Sequence, residues 1–570
     1  MAWGKQARRE PSPTLPTDAS DREAEYPFEE ASELLWGDRV HSTAVAMPNT
    51  QHPHHPIIYV RGFAASQGEI DEAVADPYMG FNVGATKARR AWSGEFQRFF
   101  FGSPLIRLMR EYDYRDVFEN GADIVNSPDP EKKIPYRSVI IYRYYDAASE
   151  DFGTGKTPPI EHFAIGLSEL ILKLRDCVCG TGDGQVAPED FKVHLVAHSM
   201  GGLICRAFLQ NPKLGKPDAR KAVDKVFTYA TPHNGIDMRI VRNVPGWATF
   251  GDINNFNRER MASYLGLPKG TEDVSVVTNF DAERIFNLVG TNPADYGVAK
   301  GISAWAAGEA SDGLVRIANA VTKGTDAKGK AVSSPRAFVH RSHSGHYGIV
   351  NSEEGYQNLI RFLFASVRAD GYLDIDEVTL PAEVQQKQDE GKKVTASYNV
   401  ETAVSIRGYQ WHITRREVRE NSAMFRTYDL LFPEGANGKR KPDRNQSPHL
   451  FSIFLDPSKS TMTTKSVSFA VDLKVLVPDY EVDGFLFMKH HYEGGFILRT
   501  LVLVEASPDP NTPGEWTIKY GFPDKASGKI NKSATAGKLN TSGLSFSIPL
   551  EQTTRPGFKG TLRIEMRPWK

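Results

Sequence analysis

In Val193-His194-Leu195-Val196-Ala197-His198-Ser199-Met200-Gly201-Gly202-Leu203 an apolar run rich in β-branched residues ends at a serine among small neighbours, and helix-forming sequence follows at once. No other stretch restricts the fold as much. A strand has to end here, turn through a strained residue and leave as a helix, so that Ser199 Oγ stands clear of the sheet in a nucleophile elbow. Such a turn leaves little room two positions before and two after the serine, and Ala197 and Gly201 fill those places. Glycine at both is the commoner pattern; the methyl group of Ala197 is the next smallest substituent. Ser199 is therefore the first candidate for chemistry.

A serine hydroxyl needs a base to take its proton and an acid to orient that base. On this scaffold they follow in the order Ser, Asp or Glu, His. Asp312, in Ser311-Asp312-Gly313-Leu314-Val315, comes after the strand-like Ile285-Phe286-Asn287-Leu288-Val289-Gly290-Thr291. Asp-Gly is also an ordinary turn dipeptide, and its place in the order selects it. Three histidines follow, His340, His343 and His346. The expected base is His346, because Gly345 lets the loop approach closely and Ser352-Glu353-Glu354 then caps a helix carrying Tyr356, Leu359, Ile360, Leu363 and Phe364. His343 is its rival. For the oxyanion, the expected donors are the N–H of Met200 and the N–H of Phe63, the latter after the compact run Pro56-Ile57-Ile58-Tyr59-Val60 and Arg61-Gly62.

With these blocks and the turn Ala230-Thr231-Pro232-His233-Asn234-Gly235 after Val226-Phe227-Thr228-Tyr229, residues 56 to about 365 resemble the lipase/esterase branch of the α/β-hydrolase superfamily. The turn is similar to one in triacylglycerol lipases and in the GPI inositol-deacylase-like group. The resemblance implies an α/β fold with a doubly wound, mostly parallel sheet and lid-like insertions. It makes His233 a wall residue and not the base. It also implies a serine ester hydrolase (lipase, phospholipase or esterase) that cleaves esters of apolar acyl chains through an acyl-enzyme and needs no cofactor. The other readings are an amidase or thioesterase with the same triad, and a non-catalytic binding protein on a hydrolase scaffold. The architecture also suits a bacterial effector delivered by a contact-dependent secretion system, by analogy alone.

At 570 residues the chain exceeds one comfortable core, so more than one domain is expected. The expected division is a disordered polar segment, 1–25, a catalytic domain, 26–369, with insertions at 64–136 and 236–271, a charged linker, 370–394, and a domain at 395–570. In that last stretch Val467, Phe469, Val471, Leu473, Val475 and Val477 alternate, as do Leu562, Ile564 and Met566, the pattern of an antiparallel β-sandwich. The insertions are rich in aromatic residues (Phe99, Phe100, Phe101, Trp247, Phe250), which suits either caps over the active site or satellite cores. A formal charge of −1 supplies no field for nucleic acid, so any membrane contact has to be local and apolar.

Cys177, Cys179 and Cys205 read as reduced and inert. The first residues lack the apolar core of a signal peptide, and no run reaches the length of a membrane span. The expectation is a cytoplasmic protein, or one exported without a cleaved signal. His52, His54 and His55 have no acid or cysteine at ligand spacing, so no metal is expected there. Asp151-Phe152-Gly153-Thr154-Gly155-Lys156-Thr157 imitates a phosphate loop, but Glu150 stands where that loop needs glycine, and Pro158 and Pro159 remove donors.

Overall fold

The structure is a computed structural model. It describes residues 54–570 except 65–66, 91–94, 120–121, 128–131, 183, 237–253, 294–311, 313, 327–328, 345–347, 436–439, 461–464, 484–488, 513 and 524–529. Segment 1–25, His52, Trp247, Phe250 and His346 thus lie outside the described residues.

Seven strands form the first sheet: β1 (Ile57–Val60), β2 (Arg115–Asp116), β3 (Ser138–Ile141), β4 (Val193–His198), β5 (Val223–Tyr229), β6 (Ile285–Gly290) and β7 (Arg336–Val339). All pairings are parallel, in the order β7-β6-β5-β4-β1-β3-β2. Near-continuous burial along β1, β3, β4 and β6 follows from layers on both faces, which is why these strands read as unbroken apolar runs. Helices α1 (Ile160–Val178), α2 (Met200–Gln210) and α3 (Glu353–Phe364) bury apolar stripes in the same core. Strand order reverses between β1 and β4. A crevice therefore opens at their carboxyl ends, where ligands bind in open α/β sheets.

Much of the first insertion belongs to the body of this domain. Ile70, Val74, Met79, Phe81, Leu105 and Leu108 enter the main core, and β2 extends the sheet. A hairpin of Ala85–Arg90 and Phe96–Phe101 leaves Phe100 77% exposed and sets Phe99 edge-on to Trp411, at 5.2 Å between centroids. In the described part of the second insertion, Phe256, Met261 and Tyr264 are core residues.

The C-terminal half is all antiparallel. β8 (Val367–Val378), β12 (His449–Leu455), β17 (Leu544–Gln552) and β18 (Phe558–Pro568) form one sheet in the order β12-β8-β18-β17. The other runs β10 (His412–Arg416), β9 (Val394–Ile406), β13 (Val467–Asp483), β14 (Lys489–Pro508), β15 (Trp516–Pro523) and β16 (Ile530–Leu539), with β11 (Met424–Thr427) also on β9. The alternating residues of β13 and β18 share one core, and Phe451 of one sheet lies 6.0 Å from Phe469 of the other, so the two sheets form a sandwich.

The linker expected at 370–394 is not one. Residues 367–378 are an inner strand of the sandwich, hydrogen-bonded along most of its length to β18, and Ala382–Asp389 is a helix. The boundary falls at Ser366, whose N–H donates to Leu455 O and whose carbonyl accepts from Trp569 N–H. Trp569 Nε1 also donates to Phe362 O at 2.8 Å, and its ring packs with Phe362 and Phe454 inside the core of the first domain. The charged texture of 370–394 misled because a strand end and a short exposed helix carry those charges.

Candidate active site

Ser199 follows β4 directly and holds φ 51° and ψ −122°, a left-handed conformation that is costly for a side-chain-bearing residue. Neighbouring backbone enforces it. Ser199 N–H donates to Tyr229 O at 2.9 Å, tying the elbow to β5. A Cβ on Gly201 would sit 2.3 Å from Val60 O, and one on Gly62 would sit 2.9 Å from Ser199 Cβ. Only glycines let the ends of β1 and β4 come this close.

Ser199 Oγ lies 2.9 Å from His343 Nε2, and His343 Nδ1 lies 3.0 Å from Asp312 Oδ2. All three side chains are buried. The other carboxylate oxygen of Asp312 accepts the N–H groups of Leu314 (3.0 Å) and Val315 (2.7 Å), and Asp312 O accepts the His343 N–H at 2.9 Å. Acid and imidazole are thus registered through both backbone and side chain. His198, the last residue of β4, donates from Nε2 to His343 O at 2.9 Å, with its ring 4.9 Å from the His343 ring. Burial, and then the neighbouring His343, hold His198 well below its ordinary pKa, so it is a neutral buttress.

The seat expected for His346 is therefore occupied by His343, and one imidazole fills it. The loop leaves β7 at Val339, and a Cβ on Gly290 would sit 2.6 Å from Arg341 O and 2.7 Å from Asp312 Cβ. The chain has thus crossed the acid within a few residues of the strand end, which brings His343 to the serine. His340 stays outside, with Nδ1 3.3 Å from Thr291 Oγ1 and 3.6 Å from Glu420 Oε2. His233 is fully buried beside Thr228, and its carbonyl accepts from the buried Arg206, as suits a wall residue.

Met200 opens α2, and Phe63 follows β1, so both flank the crevice beside Ser199. Ala64 N–H is committed to Tyr145 Oη at 2.8 Å. The Phe63 ring meets the buried Phe256 edge-on at 5.9 Å.

Sequence reasoning did not find the group that holds the histidine loop. Arg341 donates from Nε (3.1 Å) and Nη2 (3.0 Å) to Glu354 Oε2 at the start of α3. Lys87 of the hairpin bonds the other oxygen of Glu354 and stands 4.1 Å over the Trp411 ring of the second domain. Burial alone would raise the Glu354 pKa, but Lys87 and Arg341 hold it down at about 2. Arginine and glutamate 13 residues apart in a polar stretch gave no local pattern to read.

Residues 170–283, which include Ser199 but neither Asp312 nor His343, match the family model of the PGAP1-like alpha/beta domain. No protein of curated function matches the chain. Solved structures similar to it include the mature form of the lipase BlEst2 from Bacillus licheniformis (15% identity, 57% of this chain and 100% of that one, TM-score 0.26). Phospholipase PlaB from Legionella pneumophila is another (13% identity, 74% and 86%, TM-score 0.26), as is the lin2722 product of Listeria innocua (13%, 54% and 93%, TM-score 0.24). By its strand order and elbow, the N-terminal half has the α/β-hydrolase fold, and its stretch around the serine is similar to the PGAP1-like alpha/beta domain.

Proposed function

We propose that the protein is a serine ester hydrolase of lipase, phospholipase or esterase type, acting on esters of apolar acyl chains. The observation that carries this reading is the unbroken contact Ser199 Oγ to His343 Nε2 to His343 Nδ1 to Asp312 Oδ2, with steps of 2.9 and 3.0 Å. In the proposed cycle Ser199 Oγ attacks the ester carbonyl while His343 Nε2 takes its proton. Asp312 fixes the tautomer and stabilises the imidazolium. The N–H groups of Met200 and Phe63 donate to the oxyanion. His343 then returns the proton to the leaving alcohol, and water, activated by the same imidazole, releases the acid. The Phe63 and Phe256 rings favour an apolar acyl chain over a charged one.

Labelling by a fluorophosphonate, followed by turnover of p-nitrophenyl esters of graded chain length and of phospholipid vesicles, tests the reading. Labelling at Ser199 with hydrolysis of at least one class supports it. Absence of both overturns it.

A further inference from the structure

The mechanism uses the carboxyl ends of the strands. At the amino-terminal ends of the same strands, His55 leads into β1, His194 is the second residue of β4 and Asp224 is the second residue of β5. One ring nitrogen of each histidine and one carboxylate oxygen of Asp224 all lie within 4.8 Å of one another. Along β4, five residues at ~3.3 Å each put about 16 Å between His194 and Ser199.

We propose that His55, His194 and Asp224 form a buried site for a divalent ion of the zinc class, completed by a water or another small ligand.

Three observations point this way. His194 is 1% exposed, and among the described residues neither of its ring nitrogens has a hydrogen-bond partner. Leaving both unpaired in a core is costly unless something else engages them. Second, His194 Nδ1 and Asp224 Oδ2 are 3.6 Å apart, too far for a hydrogen bond. That separation is close to the ~3.4 Å edge of a tetrahedron whose centre is about 2.1 Å from each ligand.

Third, His55 Nδ1 lies 2.6 Å from Tyr136 Oη, which accepts from Lys192 N–H and has Lys192 O at 3.2 Å to take its own proton. His55 Nδ1–H then donates to Tyr136 and Nε2 keeps its lone pair, the outer-partner arrangement that orients ligating histidines.

The surroundings contain cations too. Arg284 bonds Asp224 through its backbone carbonyl and Oδ1, leaving Oδ2 for the site, and Lys225 Nζ is turned to Leu363 O at 2.9 Å. Partners in β4 and β5 explain why no completed ligand set is visible around His52-Pro53-His54-His55 in the sequence: they lie far along the chain.

The full chain without a histidine tag is stripped with a chelator and titrated with Zn²⁺ and Co²⁺, reading metal content, the Co²⁺ absorption bands and Tm. One ion bound, tetrahedral-type cobalt bands and a raised Tm are expected. His55→Gln and His194→Gln should each weaken binding by at least about tenfold, the lower end of what loss of even an outer partner costs. Should His194→Gln misfold, His55→Gln carries the test alone. Binding no tighter in the parent than in the double variant overturns the proposal. So does binding lost in His491→Ala and kept in His55→Gln, which would place the ion at the half-buried Asp479 and Glu481 with the exposed His491.

Discussion

Two loops meet at the candidate site and are built by opposite means. The elbow around Ser199 is held by contacts within a few residues of its own strand and the two beside it: β1 carbonyls against Gly201, and Tyr229 O on the Ser199 N–H. The histidine loop is held by partners from the whole molecule, namely Asp312, His198, Glu354 and, through Glu354, Lys87 and Trp411 of the second domain. The elbow stores strain in one residue and cannot yield without a clash. The histidine loop is positioned by charge pairing at a distance, so it can be loosened without unfolding the sheet. A nucleophile can thus be fixed by sterics while its base is set by a network that reaches across a domain boundary.

The sharpest break in that comparison is chemical. Ser199→Ala should lower kcat on a p-nitrophenyl ester about a million-fold, and His343→Ala should match it, with Tm of the serine variant unchanged. His340→Ala and His346→Ala should each keep at least about a tenth of the rate, a loss below roughly 1.4 kcal/mol. Hydrolysis that survives in His343→Ala and fails in His346→Ala would reassign the base. Next in size is Asp312→Asn, expected to cost about ten-thousand-fold through the wrong tautomer, with fluorophosphonate labelling slowed to match. A near-normal rate there would remove Asp312 from the site.

Loosening the histidine loop should cost less. Glu354→Gln leaves Arg341 and Lys87 without their shared carboxylate and should lower kcat roughly ten- to a hundredfold with KM little changed. A fall in KM-dependent binding alone would show that the clamp does not position His343. Its stability contribution has a defined pH window. With the folded pKa held at about 2 against an ordinary 4.5, the carboxylate stabilises the fold fully above 4.5, and that gain is lost as pH falls towards 2. Unfolding curves of parent and Glu354→Gln should therefore converge across that interval. Smallest is Trp411→Ala, which removes the ring under Lys87 and should reduce activity about two- to fivefold, the equivalent of roughly 0.5–1 kcal/mol. No change in rate or Tm would mean that the second domain leaves the loop alone.

What could be read from the chain follows the same division. The elbow, the strand before it and the helix behind it are local patterns, and the parallel sheet and the sandwich announce themselves by continuous and alternating burial in β4 and β13. Asp312 was legible through chain order. The choice among three histidines was not, because it depends on how soon the loop after β7 crosses Asp312, a register set by Gly290 and Arg341 from separate segments. The domain boundary failed for a related reason: charges on β8 and the helix after it look like a linker until β12 and β18 are seen pairing with β8.

Trp569 has a consequence for how the molecule comes into being. The core of the first domain is closed by an indole that bonds Phe362 from 207 residues further along the chain. While the polypeptide is still emerging, the nucleophile strand, the acid and the histidine can all be present with one wall of their core missing. Contacts of such sequence separation form late, because the loop they close must be ordered first. On the proposed function, activity is then acquired near the end of folding, in step with the sandwich, and a chain interrupted before the last strand should be inert even with Ser199, Asp312 and His343 all present.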